Sequence, residues 1–324
     1  MSSRSRDIGW IGVGRMGFPM VERLLAVGYK PRIFNRTRAK AEPLAAKGAV
    51  IVDSPAALAD AGILFIIVGT GKDLDEVCFG QHGVIGGAGA KAPGVIVDLS
   101  SIGAEESGAL RARLAEHDVP FLCSPVSGNG NCVRAGKLST VASGPEAAFA
   151  LARPYLEIIA GAGASYVGEG ERARICKIAH NVLLGVVVQT LAEIVLLAEK
   201  SGIPRHAFME FVNNSVLGSV FTRYKTPAIV NLDWTTTFTP TLLRKDLDLG
   251  LDLGHTFGVP MPVTAIVREA LQAHFGAATL KPDPAAYLAQ DFMALLETAA
   301  LAAGVKLASE NKKVRSGLEV ATPA

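Results

Sequence analysis

Lys177 and Asn181 stand one helical turn apart within residues 171–202, ERARICKIAHNVLLGVVVQTLAEIVLLAEKSG. No Pro interrupts this stretch, its one internal glycine is Gly185, and Ser201-Gly202 with Pro204 beyond is the punctuation of a helix end. At about 100° per residue, Glu171, Arg172, Gln189, Thr190, Glu193 and Lys200 fall on one polar stripe. The opposite stripe is Leu184, Val188, Leu191 and Val195, and Lys177 lies on it with Asn181 beside it. Lysines ordinarily lie at the surface. One held on a face meant for burial can exchange a proton near neutral pH, because partial burial lowers its pKa. Asn181, at i+4, can hold Lys177 or a substrate oxygen in line. His180 lies near the same face and is read as a packed helix histidine in preference to a second proton donor. Cys176 points about 100° away from Lys177 and receives no role.

Gly12-Val13-Gly14-Arg15-Met16-Gly17 suits a dinucleotide, since an apolar strand precedes it and a helix follows. The first glycine permits the turn, the second lets backbone approach a pyrophosphate, and the third lets helix pack on strand. With the helix N-terminus facing the phosphates, Gly12, Gly14, Arg15, Met16 and Gly17 are candidate cofactor contacts; a glycine-rich turn without a ligand is the plainer alternative. After the second strand, where an NAD site carries a carboxylate for the ribose, the chain has Asn35-Arg36-Thr37 and then Arg38. Arg36 can bind a 2′-phosphate through paired donors, which favours NADP(H) and leaves NAD(H) possible. Arg36 and Arg38 can equally be solvated charges at a helix start. Asp98-Leu99-Ser100-Ser101 and Ser124-Pro125-Val126-Ser127-Gly128-Asn129 follow strands, where doubly wound sheets receive ligands. Serine hydroxyls and glycine N–H groups suit a carboxylate or an oxygen substituent, though each serine singly also reads as a loop or cap residue.

These residues require a scaffold of alternating elements. Strand patterns at 8–12, 31–35, 50–52, 63–68, 94–98, 119–123, 137–142 and 165–167 are interleaved with helical ones, including 16–27, 38–47, 56–60, 105–117 and 146–159. The alternation predicts an α/β domain, a Rossmann-type doubly wound and mainly parallel sheet with helices on both faces. After 167 only helical patterns remain: the long helix, then 206–213, 241–257, 263–275 and 285–301. The expected organisation is a nucleotide-binding domain over 1–168 and an all-α domain over 169–309 built around the long helix. The polar segment 310–324 has no periodic apolar face and is expected to be a flexible tail.

Hydrophobic residues at 49% supply ample core for two domains, and a net charge of +2 argues against nucleic-acid or membrane-surface partners. Cys78, Cys123, Cys132 and Cys176 show neither paired spacing nor CxxC, which predicts a reduced, cytoplasmic protein without a structural metal. The start, MSSRSRD, is too short and polar for a signal peptide. Mean hydropathy is +0.32, yet the most apolar segment, 182–197, contains Gln189, Thr190 and Glu193 and reads as a buried helix in preference to a membrane span.

As a set, IGWIGVGRMGFPM (8–20), FNRT (34–37), DLSSI (98–102), SPVSGN (124–129), GKLSTVASG (136–144), KIAHN (177–181), RKDLDL (244–249) and GVPMP (258–262) resemble the β-hydroxyacid dehydrogenase family. The resemblance implies NAD(P)-dependent, reversible oxidation of a small 3-hydroxy acid to its semialdehyde, by dimers or tetramers packed through the helical domain. It makes Lys177 the catalytic lysine, Asn181 its companion and Ser127-Gly128 the carboxylate-binding turn. Ser101 falls near the nicotinamide and Lys245 at the cofactor–substrate cleft. Asp246 can pair with Lys245 or cap a cofactor group.

The chain departs from the family pattern at Asn129, where a second glycine is usual, and at Cys132-Val133, where Gly-Ala is common. The loop Gly69-Thr70-Gly71-Lys72-Asp73 lacks a frequent proline. Asn129 would bring a donor and an acceptor to the substrate turn, which makes a polar or larger 3-hydroxy acid at least as good a candidate as 3-hydroxyisobutyrate itself. Two further readings are an imine reductase of the same architecture, which Lys177 disfavours, and a non-catalytic nucleotide-binding protein.

Overall fold

A computed structural model describes residues 7–85 and 91–319, in two compact units, Met1–Lys177 and Ile178–Ala324. The division falls within the long helix, beyond the glycine-rich stretch at 168–170.

In the first unit, six strands form one parallel sheet: β1 (Ile8–Ile11), β2 (Arg32–Phe34), β3 (Val50–Ile51), β4 (Ile63–Ile66), β5 (Ile96–Asp98) and β6 (Phe121–Cys123). Their order is β3-β2-β1-β4-β5-β6. All four residues of β1 and of β4 are buried, as parallel strands covered on both faces must be. β1 lies between β2 and β4, Ile11 opposite Phe34 on one side and Ile66 on the other. The strand order reverses there, which puts the ligand crevice of such a sheet beyond the carboxyl end of β1. A second sheet joins β7 (Val126–Ser127), antiparallel to β8 (Leu138–Ala142), with β9 (Gly161–Tyr166) parallel to β8.

Helices α1 (Gly17–Ala26), α4 (Ala104–Ala115) and α6 (Glu146–Ala160) fall where the sequence places them. The helix expected at 38–47 is instead a 3-10 turn, Arg38–Lys40, followed by the one-turn α2 (Glu42–Ala45). Two others were hidden by composition. α3 (Gly71–Phe79) starts on glycine and is capped by Thr70, whose Oγ1 accepts from Asp73 N. α5 (Gly130–Arg134) is capped by Asn129.

The second unit is helical. α7 (Arg172–Lys200) runs into it, followed by α8 (Arg205–Asn214), α9 (Val220–Asn231), α10 (Pro240–Phe257), α11 (Pro262–Ala278), α12 (Pro284–Leu288) and α13 (Leu295–Ala302). Val188, Leu191 and Val195 of α7 join Met209, Ile229, Leu243, Leu247, Leu271 and Phe292 in its core. α7 is long and apolar enough to cross a membrane by length and composition, and half of its most apolar window is buried inside the protein. Gly185 has its reason here: a Cβ on it would lie 2.9 Å from Leu247 Cδ2, and one on Gly250 would lie 2.2 Å from Val182 Cγ2. The two glycines let α7 and α10 approach closely.

The helix expected over 285–301 is broken at Asp291, which is buried and accepts from Thr237 N, Thr237 Oγ1 and Met293 N. The buried Lys225 ammonium completes this knot, 2.6 Å from Asp291 Oδ1. The expected tail also differs. Glu310 accepts from Arg205 N at 2.6 Å and His206 N at 3.0 Å, supplying the cap that α8 lacks locally, and Lys312 N donates to Asn231 Oδ1 at 3.0 Å. The segment is therefore fastened to α8 and α9 at Glu310 and Lys312, while 320–324 lie outside the described residues.

His274 gives this unit a pH dependence. It is fully buried, Nδ1 lies 2.8 Å from Thr298 Oγ1, and burial pushes its pKa down to about 4 against the opposing pull of Glu297. The folded pKa lies below the unfolded one, so the unfolded chain binds the extra proton between them. Stability is therefore lost as pH falls from about 6.5 towards 4, by on the order of 3 kcal/mol for this group. Urea unfolding across that range should lose this slope in His274→Gln; an unchanged slope would assign the acid sensitivity to other groups.

Candidate active site

In the first unit the glycine-rich turn has the geometry its spacing predicts. Gly12 has φ +95°, and a Cβ on it would lie 2.0 Å from Ile67 O. A Cβ on Gly17 would lie 2.0 Å from Gly12 O, so helix and turn could not close. Gly14 differs: no protein atom lies within 4 Å of where its Cβ would be. Its missing side chain leaves room on the open side of the turn, and Arg15 is exposed beside it. Met16, the residue capping α1, makes no side-chain cap bond; in the first turn Phe18 N donates to Gly14 O at 3.0 Å and Pro19 has no N–H. Room at Gly14, at the N-terminus of α1, fits a pyrophosphate.

Asn35 serves the turn from within. Its Oδ1 accepts from Val13 N at 2.9 Å and its Nδ2 donates to Thr37 O at 2.8 Å, so the side chain ties the glycine-rich turn to the end of β2. Thr37 precedes the 3-10 turn and makes no side-chain cap bond. The Arg36 side chain is 88% exposed, and its Nη1 donates to Asp73 Oδ1 at 3.0 Å. Arg38 pairs with Glu42 and Asp53, the solvated helix-start role.

The turn after β7 is brought against the glycine-rich one. Ser127 is half-buried at the end of β7. Gly128 follows with φ +128°, and a Cβ there would lie 2.9 Å from Cys132 Cβ. A Cβ on Gly130 would lie 2.8 Å from Arg15 O, so the two loops touch through backbone. Asn129 also has a structural role: its Oδ1 accepts from Asn131 N and Cys132 N. Its acceptor is spent on the start of α5.

The DLSS segment divides. Asp98 and Ser100 are buried and bonded internally: Ser100 N donates to Asp98 Oδ1 at 2.9 Å, and Val68 N to Ser100 Oγ at 2.9 Å. Ser101 alone is exposed, just past β5. The start of α7 is fastened nearby. Arg174 donates to Asp98 Oδ2 and to Ser100 O, Arg111 pairs with Glu171 at 2.7 Å, and Ser143 Oγ accepts from Ala173 N at 3.0 Å. Lys177, one turn beyond Arg174, is half-buried where its stripe predicted burial, and Cys176 is exposed.

In the second unit, buried Asn181 donates through Nδ2 to Asp246 Oδ2 at 2.6 Å. Asp246 Oδ1 lies 3.9 Å from the half-exposed Lys245 ammonium. His180 is exposed and not packed, with Nδ1 donating to Asn181 Oδ1 at 3.0 Å. The Asn181 amide is thus held at both ends. Asp246 pairs with Asn181 as well as approaching Lys245.

Two sequence profiles cover this chain. Residues 7–168 match the NAD binding domain of 6-phosphogluconate dehydrogenase, and residues 171–303 match the NAD-binding profile of NADP-dependent 3-hydroxyisobutyrate dehydrogenase. The 2-(hydroxymethyl)glutarate dehydrogenase of Eubacterium barkeri is 31% identical over 271 residues, 83% of this chain and 89% of that one. The chain belongs to the β-hydroxyacid dehydrogenase family. Among solved structures, Mycobacterium tuberculosis 3-hydroxyisobutyrate dehydrogenase with L-serine aligns over 90% of this chain and 98% of its own, with TM-score 0.73 and 25% identity. Psf3 in complex with NADP+ and 2-OPP aligns over 87% and 98%, with TM-score 0.71 and 25% identity. An imine reductase from Myxococcus stipitatus, in complex with NADP+, aligns over 90% and 99% at 22% identity and TM-score 0.56, a likeness of fold alone.

As a β-hydroxyacid dehydrogenase the protein is an oxidoreductase of CH–OH groups that uses a nicotinamide cofactor. Among the described residues no group of His, Cys, Asp or Glu could hold a metal ion. Sequence reasoning missed Arg174 and Asp73. A carboxylate closing a buried strand needs a cationic partner, so Asp98 was a signal for the first. Nothing in the sequence pairs Asp73 with Arg36.

Proposed function

We propose that the protein is an NADP(H)-preferring enzyme interconverting a small 3-hydroxy acid and its semialdehyde, with Lys177 as general acid/base. The observation that carries this reading is Lys177, half-buried at the start of α7, one turn from an Asn181 whose amide is locked by Asp246. Bound NADP(H) supplies or accepts the hydride at C4 of its nicotinamide. Lys177 gives a proton to the carbonyl oxygen during reduction and removes it from the hydroxyl during oxidation. Asn181 holds that oxygen or Lys177 in line. Ser127 and the backbone N–H groups around Gly128 receive the substrate carboxylate, with Asn129 fixing the turn as the cap of α5. Gly12, Gly14 and Gly17, with the adjoining Arg15 and Met16, receive the pyrophosphate, while Ser101 and Lys245 border the nicotinamide and the reacting groups.

A polar or larger 3-hydroxy acid is favoured over 3-hydroxyisobutyrate. The Eubacterium barkeri relative is named for a dicarboxylic 3-hydroxy acid, which supports that choice. An imine reductase is the second reading, favoured by the shared fold and opposed by Lys177. We also read the protein as cytoplasmic and as a homodimer or homotetramer. Exposed Leu183 and Leu197 on α7 support the oligomer, and sedimentation showing only monomer would remove it.

Initial rates over semialdehydes, 3-hydroxy acids and cyclic imines, with each cofactor, test the reaction and the preference together. With NADPH, Arg36→Ala should lower kcat/KM by roughly tenfold or more, the loss of a charge-assisted bond. With NADH the rate should stay nearly unchanged. An enzyme that prefers NADH from the outset, or an equal fall with both cofactors, would reject Arg36 as the 2′-phosphate ligand.

A further inference from the structure

We propose that Arg174 is a positioning residue for Lys177, clamping the first turns of α7 to the end of β5. Its guanidinium is 1% exposed; Nη2 donates to Asp98 Oδ2 and Nη1 to the carbonyl oxygen of Ser100. Asp98 in turn accepts from Ser100 N, and Ser100 Oγ accepts from Val68 N beyond β4. The clamp therefore grips the ends of two central strands at once. A planar fork bonded at two points fixes rotation as well as distance, which a point contact does not. Lys177 follows three residues later, about 4.5 Å along the axis and about 60° around it. A small roll of α7 about its axis displaces the Lys177 ammonium directly, and Ser101 adjoins the carbonyl that Arg174 holds.

Stability alone does not account for this arginine. Its Nε is buried with no acceptor among the described residues, and leaving a buried donor unmet costs desolvation without return. Apolar residues of similar volume often replace a buried ion pair without loss of stability. The start of α7 has other fastenings, in Arg111 with Glu171 and in Ser143 with Ala173. What Arg174 adds is the angle at which Lys177 is presented.

The inference rests on Lys177 as the acid/base, and two variants test it beside Lys177→Ala. Arg174→Lys keeps the charge opposite Asp98 but can satisfy only one of the two acceptors. The double variant Asp98→Asn/Arg174→Gln removes both charges and avoids stranding a buried carboxylate. Misplacement of a reacting group by about 1 Å costs on the order of 100-fold in rate. The double variant should therefore lose roughly that factor in kcat, and Arg174→Lys about tenfold. Substrate KM and the Kd for NADPH should stay within about threefold. Recovery of rate from the double variant to Arg174→Lys, without a matching change in cofactor binding, is the signature of positioning. A folded, NADPH-binding variant of either kind with wild-type kcat would overturn the proposal. Failure of both to fold would assign Arg174 to stability and overturn it equally. If Lys177→Ala retains turnover, the functional reading fails; if Lys177→Ala is inactive while Arg174→Lys matches wild type, only this inference fails.

Discussion

Lys177→Ala should lose about 10²- to 10⁴-fold in kcat, the span that positioned proton transfer contributes, while still binding NADPH. The expectation of intact binding comes from the first unit itself. The turn at Gly12, Gly14 and Gly17 and the brace from Asn35 to Val13 involve no atom of Lys177. Lys177 is half-buried, so its truncation opens no core cavity of the kind that unfolds proteins. Kd for NADPH should stay within about threefold and unfolding free energy within about 1 kcal/mol of wild type. Loss of rate with equal loss of binding would make the lysine a cofactor ligand instead. Retained turnover would remove it from the chemistry.

Replacements in the glycine-rich turn should separate folding from binding. Gly12→Ala puts a Cβ 2.0 Å from Ile67 O at φ +95°, a conformation that alone costs a non-glycine residue about 1–2 kcal/mol. With the overlap added, destabilisation of at least about 2 kcal/mol is expected. Gly14→Val has no such burden, because nothing lies within 4 Å of its Cβ and its φ is not positive. Its stability should stay within about 0.5 kcal/mol of wild type. Its branched side chain would occupy the space kept for a pyrophosphate, so NADPH affinity should fall on the order of 100-fold. Calorimetric unfolding and NADPH titration of both variants read the two effects separately. A Gly14→Val protein that binds NADPH normally would place the dinucleotide elsewhere.

The parts of this fold that were legible in the sequence are those with strong local signals. β1 followed by GxGxxG, and the apolar stripe of α7, each carry their geometry in nearby residues. α9 was not legible, because Pro227 lies inside it and its capping box pairs Ser219 with Thr222 in place of a Glu or Gln. The break at Asp291 depends on Lys225 and Thr237, 66 and 54 residues away, which no periodicity encodes. The site divides in the same way. Lys177, Asn181 and the glycines were readable from spacing, whereas Arg174 meets Asp98 across 76 residues of chain. The capping role of Asn129 was hidden for a related reason: the five-residue helix it caps has too little pattern to announce itself.

The most direct test of Lys177-assisted hydride transfer uses NADPH carrying deuterium at C4 of the nicotinamide, with the semialdehyde turned over fastest. In equal times the wild-type protein should form product with one deuterium on the former carbonyl carbon, and Lys177→Ala at least about 100-fold less of it. Deuterium appearing only in an amine formed from an imine, or equal incorporation by both proteins, would contradict the account.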